Sequence, residues 1–321
     1  MLFKNIKGQD NALAVLKKNI EINRIYSSYL FTGPSGVGKS IAACAFAKAI
    51  NCSNRNNADP CGECNSCKKI DARAHPDVFF IAPKNDSSSI AIAEIRKVLK
   101  QASLKPYCGK KKVFIVENTH FMNAEASNAL LKTLEEPQSD TIFILLSRSK
   151  DLLLPTIVSR CHVVRFVSAP LDLVRGVIMR KLGIDEKEAA LLASFASGRI
   201  GKAIRMKEEN VVTRKNRIID SLFSGRLDFQ DELNQYSDKS GLKENLEFLL
   251  SFLRDMFLYK TVARCDIFFN FDRIEKIKKY SEKFSSEKLD YLIKKVITLV
   301  SYVDYNVNPK IIVDVLTSWV I

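Results

Sequence analysis

The chain has 321 residues, of which 46% are hydrophobic, so it can bury a core larger than the roughly 250 to 300 residues that one domain usually organises. We therefore expect two or three domains. A charged residue at position 4 and the lack of any stretch near the roughly 18 uncharged residues of a membrane helix exclude a secretory leader and a membrane span, so a cytoplasmic protein is expected. The formal net charge of +14 is compatible with a polyanionic partner, and equally with a solvated, lysine-rich helical surface.

Four short apolar runs in the first half of the chain predict buried parallel strands. They occupy residues 29–32, 78–81, 113–116 and 141–146, and each is followed by a stretch of helix length. The segment from Asn123 to Glu136 predicts a helix with Asn123 as its cap, closed by Pro137. For residues 1–167 we therefore expect an α/β domain with an open, mostly parallel sheet and flanking helices.

The strand-like runs stop at about Ala169. Short amphipathic stretches broken at Gly183 and Gly198 predict a small helical domain over residues 168–208. Longer apolar periodicities over 242–257, 282–303 and 309–320 predict a third domain, an all-helical bundle over residues 209–321.

A phosphate-binding loop is predicted between the strand that ends at Thr32 and the helix that continues through Ile41. Its glycines allow backbone N–H groups to turn toward a phosphate, its lysine places a charge on the β- and γ-phosphate oxygens, and its serine hydroxyl coordinates Mg²⁺. A plain glycine-rich turn is the alternative. The residues predicted to bind ATP or ADP with Mg²⁺ are Gly33, Pro34, Ser35, Gly36, Val37, Gly38, Lys39 and Ser40.

Four of the eight cysteines, Cys52, Cys61, Cys64 and Cys67, follow the spacing C-x8-C-x2-C-x2-C. Four thiolates so close in sequence suit a closed tetrahedral Zn²⁺ site, whose role is structural because no position is left for water. An iron–sulfur cluster and unrelated free thiols are the alternatives. The other cysteines are interpreted as packing residues: Cys44, Cys108, Cys161 and Cys265.

Several blocks together resemble the δ′ subunits of bacterial DNA polymerase III clamp loaders, which are AAA+ proteins. In chain order the blocks are residues 3–9, the loop at 33–40, the four cysteines, residues 127–137 and Ser159-Arg160-Cys161, with a weaker likeness at 306–310. In that family, five subunits form an open ring that binds ATP between neighbours, opens the sliding clamp and places it on primed DNA.

The resemblance implies the partners and the place of action. The expected partners are the γ/τ and δ clamp-loader subunits, the sliding clamp and primer–template DNA, in a replisome associated with the nucleoid. The C-terminal helical domain is implied to serve ring assembly.

The resemblance also implies roles for two further side chains. Arg160 would reach in trans toward the γ-phosphate held by a neighbouring subunit, where a planar cation stabilises the charge of phosphoryl transfer. Taken alone, Ser-Arg-Cys is equally a surface turn. Ser147 aligns with the first phosphate sensor of the family and keeps a hydroxyl there.

Two departures from a working AAA+ ATPase stand out. The strand at 113–116 is followed by Glu117 and Asn118, where a hydrolytic site needs an Asp for Mg²⁺ and then a Glu as the base. Glu117 keeps a degenerate metal-binding role, but the Asn118 amide does not accept a proton. Motor subunits also carry a sensor arginine where this chain has Gly201.

We therefore expect a δ′-type subunit that holds nucleotide with weak or no hydrolysis and donates an arginine. The alternative is a γ/τ-type motor in which Glu117 serves as both metal ligand and base. Polymerase activity is not expected, because no separated pair of strand-end carboxylates for two-metal chemistry is evident.

The candidate DNA contacts are basic residues near the loops of the sheet. For any one of them, solvation of a charged helix or loop face is the favoured interpretation. They are Arg96, Lys97, Lys100, Lys110, Lys111 and Lys112.

Overall fold

The computed structural model describes residues 2–83, 89–137, 140–223, 226–234, 239–262, 268–305 and 307–320. Cys265 and Asn306 lie outside these ranges. The chain divides into two compact units, one formed by Met1–Val177 with Ser197–Lys202, the other by Ile178–Ala196 with Ala203–Ile321. Within the described ranges, no helix is both long enough and apolar enough to cross a membrane.

The first unit is built on a five-stranded parallel sheet in the order β2-β3-β4-β1-β5. Its strands are β1 (Ser28–Thr32), β2 (Val78–Ile81), β3 (Lys112–Val116), β4 (Thr141–Ser147) and β5 (His162–Arg165). The helices before and between them are α1 (Asp10–Glu21), α2 (Lys39–Asn51), α3 (Asn65–Asp71), α4 (Ile92–Ala102), α5 (Ala124–Glu135) and α6 (Pro155–Val158).

Both faces of the sheet are apolar and covered, because alternate strand residues point to opposite faces. Tyr29 and Phe31 belong to a cluster with residues of α1 and α2, whereas Leu30 belongs to a second cluster with residues of α4, α5 and α6. Asn123 caps α5 as predicted, accepting a 2.8 Å hydrogen bond from the Ala126 N–H.

The fold predicted from the sequence, an α/β domain with an open parallel sheet and flanking helices followed by helices, is confirmed, and so are the four predicted strands. The fifth strand, β5, was not predicted. It has only four residues, it lies at the edge of the sheet, and Val163 and Arg165 are exposed, so it lacks the apolar run of the others.

After β5, the regular elements of the described residues are all helices. Two of them, α7 (Leu171–Leu182) and α9 (Ile200–Glu208), contribute residues to both units. The second unit further contains α8 (Glu186–Ala196), α10 (Val211–Ser221), α11 (Arg226–Asn234), α12 (Lys239–Val262), α13 (Ile274–Ser281), α14 (Ser286–Asp304) and α15 (Pro309–Val320).

A buried polar network ties α10 to the segment before α13 in the second unit. The Lys215 ammonium donates to Asp272 at 2.9 Å and to the Asn270 side chain at 3.2 Å. Asn270 in turn donates to Asp255 of α12 through both its backbone and its side-chain nitrogen. Because Lys215 and Asp255 are both paired in this network, it accommodates buried polar residues that sequence periodicity assigns to the surface.

Candidate nucleotide site, cysteine cluster and surface arginine

The predicted phosphate-binding loop joins the carboxyl end of β1 to the start of α2 at Lys39. Gly33, Gly36 and Gly38 all have positive φ, at 145°, 83° and 105°. A Cβ atom at Gly33 would lie 2.1 Å from the Phe166 carbonyl oxygen, so no larger residue fits there. The structure thus places the loop in the strand–loop–helix setting that phosphate binding requires.

Lys39 is turned back onto its own loop. Its ammonium donates to the carbonyl oxygens of Gly33 and, at 2.7 Å, of Pro34. Burial, together with the nearby charge of Arg148, lowers the pKa of Lys39 to about 8. A bound phosphate would have to take the place of the loop carbonyls.

Ser40 and Glu117 meet at the predicted metal position. The Ser40 hydroxyl donates to Oε1 of Glu117 at 2.9 Å, and Glu117 follows β3 directly. Two oxygens bound in neighbouring positions on an octahedral Mg²⁺ ion, each at about 2.0–2.1 Å, are about 2.9 Å apart. These two side chains therefore fit a Mg²⁺ ion, which would supply charge neutralisation for the phosphates.

Asn118 follows in a left-handed conformation, with a φ of 51°. Its side chain makes no capping hydrogen bond to the short helical turn Thr119–Phe121. At this position the site offers an amide and no carboxylate, so the base of a hydrolytic AAA+ site is missing there.

Two residues that sequence reasoning missed border the loop and Glu117. Nη2 of Arg73 lies 3.6 Å from Oε1 of Glu117. Both ring nitrogens of His120 are buried, and neither has a hydrogen-bond partner among the described residues. Burial, and then the charges of Arg148 and Lys39, lower the pKa of His120 to about 4, so its ring is neutral at pH 7.

Ser147, the predicted sensor, lies at the end of β4 beside the loop. Its carbonyl oxygen accepts the Gly33 N–H at 3.2 Å, and its buried hydroxyl donates to the Ser149 carbonyl at 2.7 Å. That hydroxyl proton is therefore already engaged within the turn after β4.

The absence of a sensor arginine at Gly201 has a structural reason. The Gly201 N–H donates to the Gly36 carbonyl at 2.8 Å, so the start of α9 lies directly on the phosphate-binding loop. A Cβ atom at Gly201 would lie 2.9 Å from the Gly36 oxygen. An arginine therefore does not fit at this position without displacing the loop.

The four clustered cysteines converge in the structure. Their sulfur atoms all lie within 4.8 Å of one another, with separations of 3.5 Å for Cys52 and Cys61, 3.9 Å for Cys52 and Cys64, and 4.0 Å for Cys61 and Cys67. Thiolates held at about 2.3 Å around a tetrahedral Zn²⁺ ion are about 3.8 Å apart.

Backbone groups favour the thiolates of Cys61 and Cys64, whereas burial raises the pKa of Cys52 and of Cys67. The Cys61 N–H donates to the Cys52 sulfur and the Cys64 N–H donates to the Cys61 sulfur. Burial alone would raise the pKa of Cys64, but N–H donors from Cys67 and Ser53 outweigh it and bring this pKa to about 6. The donor set thus fits zinc in number, spacing and chemistry.

His75, Asp77 and Cys108 form a second group of possible metal ligands, with ligand atoms within 4.8 Å of one another. Asp77, however, accepts the backbone N–H groups of Tyr107, Cys108 and Gly109, and His75 Nδ1 accepts the Asp77 N–H. These contacts explain the group as an anchor for the loop before β3.

The interpretation of the remaining cysteines is confirmed only in part. Cys44 is buried, and Cys161 is half-buried with a pKa that burial raises to about 12. Cys108 is exposed, so the interpretation of it as a packing residue is wrong.

Arg160 lies just after α6 and is about one-third exposed, with a side-chain exposure of 34%. Its guanidinium forms a 2.6 Å ion pair with Glu135 at the end of α5 and donates to the Thr156 carbonyl at 2.9 Å. A phosphate that binds the Arg160 guanidinium would compete with the Glu135 carboxylate for it.

Three of the candidate DNA-binding lysines are engaged within the fold. Lys112 is buried and donates to the Gln101 carbonyl, Lys111 pairs with Asp140, and Lys110 donates to the Cys52 carbonyl. Lys112 is therefore neither a solvated surface charge nor accessible to DNA, and both interpretations made from the sequence are wrong for it. The candidates on α4 are exposed: Arg96, Lys97 and Lys100.

Comparison with known proteins agrees with these features. The family model "DNA polymerase III, delta subunit" matches residues 8–170, and the model "DNA polymerase III, delta subunit, C terminal" matches residues 212–320. DNA polymerase III subunit delta' of Bacillus subtilis is 28% identical over 309 residues, which cover 94% of this chain and 92% of that protein.

Matches to longer relatives are partial. DNA polymerase III subunit tau/gamma of Haemophilus influenzae is 30% identical over 72% of this chain, and the chain spans 34% of its length. Among solved structures, the Thermotoga maritima RuvB Holliday junction branch migration motor aligns with a TM-score of 0.46 and 16% identity, over 82% of this chain and 79% of that one. The family models together cover both halves of the sequence, and the chain belongs to the DNA polymerase III delta-subunit family.

Proposed function

We propose that this chain is the delta-prime subunit, or stator, of a bacterial clamp loader, which supports ATP-dependent loading of the sliding clamp onto primed DNA. The observation that carries the proposal is the pair Glu117–Asn118 at the end of β3. A carboxylate within 2.9 Å of Ser40 is retained for a metal, but an amide stands where the base is needed. Such a site holds a nucleotide better than it hydrolyses one.

Two further observations support a holder over a motor. Gly201 packs on Gly36, where a motor would carry a sensor arginine. The alignment with the Bacillus subtilis delta' relative also covers 94% of this chain, whereas the alignments with the Haemophilus influenzae tau/gamma and Bacillus subtilis tau relatives cover 72% and 81% of it.

Arg160 is the residue that we assign to catalysis in trans. Its position on the surface and the planar fork of its guanidinium suit a phosphate presented by a neighbouring subunit. Binding would exchange the Glu135 carboxylate for phosphate oxygens. Since an exposed ion pair is worth only about 0.2–1 kcal/mol, this exchange has a low cost.

The proposed partners are the gamma/tau and delta subunits, the sliding clamp and primer–template DNA, in the bacterial cytoplasm. We assign ATP or ADP with Mg²⁺ to the loop at 33–40 and a structural Zn²⁺ ion to the four cysteines. The exposed cations of α4 are the remaining candidates for contact with DNA phosphates.

A motor ATPase of gamma/tau type is the alternative function. The 2.9 Å contact between Ser40 and Glu117 favours it, because it keeps a metal ligand in place. In that case Glu117 would also have to take the proton from the attacking water.

Turnover by the isolated chain separates these two functions. For the purified chain with ATP and Mg²⁺, we expect a hydrolysis rate no higher than that of Lys39→Ala, measured as phosphate release. A rate well above this background that Glu117→Gln abolishes would identify a motor, and the stator assignment would then be wrong.

A further inference from the structure

Arg73 occupies an unusual backbone position directly after α3. Its φ is 55°, in the left-handed region that costs most residues other than glycine roughly 1–2 kcal/mol. The Arg73 N–H donates to the Ile70 carbonyl at 3.0 Å, so this residue ends the helix in the position where glycine is usual. The chain thus keeps an arginine where a residue without a side chain would fit more easily.

The Arg73 side chain reaches the nucleotide site. Its guanidinium lies over the ring of Phe80 in β2, 4.7 Å from the ring centre, and its Nη2 lies 3.6 Å from Oε1 of Glu117. The same carboxylate oxygen accepts the hydroxyl of Ser40. Stacking on an aromatic ring limits the freedom of the guanidinium and holds it beside Glu117.

This arrangement has an electrostatic consequence for metal binding. Mg²⁺ and the Arg73 guanidinium both bind the Glu117 carboxylate favourably. The presence of either cation therefore lowers the affinity of the carboxylate for the other. The Arg73 side chain is 62% exposed, and a cation beside the metal position also attracts the phosphate oxygens that Mg²⁺ would otherwise neutralise.

We propose that Arg73 is a phosphate-binding residue of the nucleotide site, which competes with Mg²⁺ for Glu117 and lets the chain bind ATP with reduced dependence on the metal. The proposal deepens the nucleotide-holding part of the proposed function and rests on it. It does not depend on the role of Arg160.

The backbone conformation supplies a suitable variant. Arg73→Gly removes the side chain and relieves the positive φ, so the fold is expected to be kept. Lys68→Ala is the matched control, because it removes one exposed cation from α3, the helix that ends just before Arg73.

The test is binding of N-methylanthraniloyl-ATP to the full chain, followed by fluorescence, without Mg²⁺ and then across a Mg²⁺ titration. Strong chelators are left out so that the cysteine cluster is undisturbed. Without Mg²⁺, Arg73→Gly is expected to weaken binding about two- to fivefold. The Mg²⁺ concentration for half-maximal enhancement is expected to fall by a similar factor, while Lys68→Ala matches the wild type.

Equal behaviour of Arg73→Gly and Lys68→Ala in both measurements would overturn the proposal. Failure of the wild type to bind the analogue under either condition would also overturn it, because no nucleotide site would then exist. The trans role of Arg160 is measured in a different assay and would survive both results.

Discussion

At the scale of single residues, the nucleotide site is a small group of cations whose charges depend on one another. Burial is the main reason that the pKa values of Lys39 and His120 are low. The charge of Arg148 lowers both further, and the charge of Lys39 adds to the effect on His120. A bound polyphosphate would reverse this repulsion. The site therefore gains from an anion more than an isolated P-loop lysine would.

The pKa of Lys39, about 8, predicts the pH dependence of nucleotide binding. The phosphate is held by the protonated ammonium, and the protonated fraction falls as pH rises through 8, so affinity falls with rising pH. Between pH 7 and pH 9 we expect about a tenfold loss of affinity for the fluorescent ATP analogue. Lys39→Arg is the control, because its charge is kept throughout. A wild-type profile as flat as that of Lys39→Arg would contradict the assigned role of Lys39.

Residue-level prediction from sequence succeeded where a site is local in the chain. The loop at 33–40 and the cysteines at 52–67 each lie within one short segment, so spacing alone indicated their chemistry. Arg73 and His120 carry no such pattern. Arg73 matters because it lies beside Glu117, and His120 because it is buried near the charges of Arg148 and Lys39, and only the folded chain brings these groups together.

At the scale of helices and strands, sequence patterns located the elements with continuous apolar runs and missed those without them. Strands β1 to β4 were predicted, whereas β5 was not, because Val163 and Val164 are its only apolar residues and lie between His162 and Arg165. Lys112 shows the converse failure. A lysine in a run of three lysines is expected to be exposed to solvent. Lys112 instead begins β3 and is buried, and its ammonium donates a hydrogen bond to the Gln101 carbonyl.

The cysteine cluster is the element whose stability we expect to depend on a metal. Cys64 precedes α3 and Cys67 lies within it, so one Zn²⁺ ion would fix that helix to the segment from Cys52 to Cys61. We expect Cys67→Ser to lose the zinc and to lower the unfolding temperature by about 5–10 °C.

Metal analysis and thermal denaturation check this expectation. Cys108→Ser is the control, because that thiol is exposed and lies outside the four-cysteine group. Equal zinc content and equal unfolding temperature in both variants would show that the cluster is not a structural metal site.

At the scale of the whole molecule, the order of the blocks along the chain identified the family, and the family models confirm it over both halves. Charge was less informative. The net charge of +14 suggested a polyanion, but Lys110, Lys111, Lys112 and Lys215 are engaged within the fold. The exposed cations that remain on α4 are a better guide to a nucleic-acid surface than the total charge.

The central claim is that this chain assists hydrolysis by a neighbouring subunit and does not turn over ATP itself. The most direct test is steady-state ATP hydrolysis by the complex assembled with gamma/tau, delta, clamp and primed DNA, with either wild-type chain, Arg160→Ala or Arg165→Ala. Arg165 is an exposed arginine at the end of β5, the strand that follows Arg160 in the chain, and serves as the matched control. We predict that Arg160→Ala lowers the assembled rate at least about tenfold while complex formation and the Arg165→Ala rate are unchanged. If the complex assembled with Arg160→Ala hydrolyses ATP at the wild-type rate, the assignment of Arg160 to catalysis in trans is wrong.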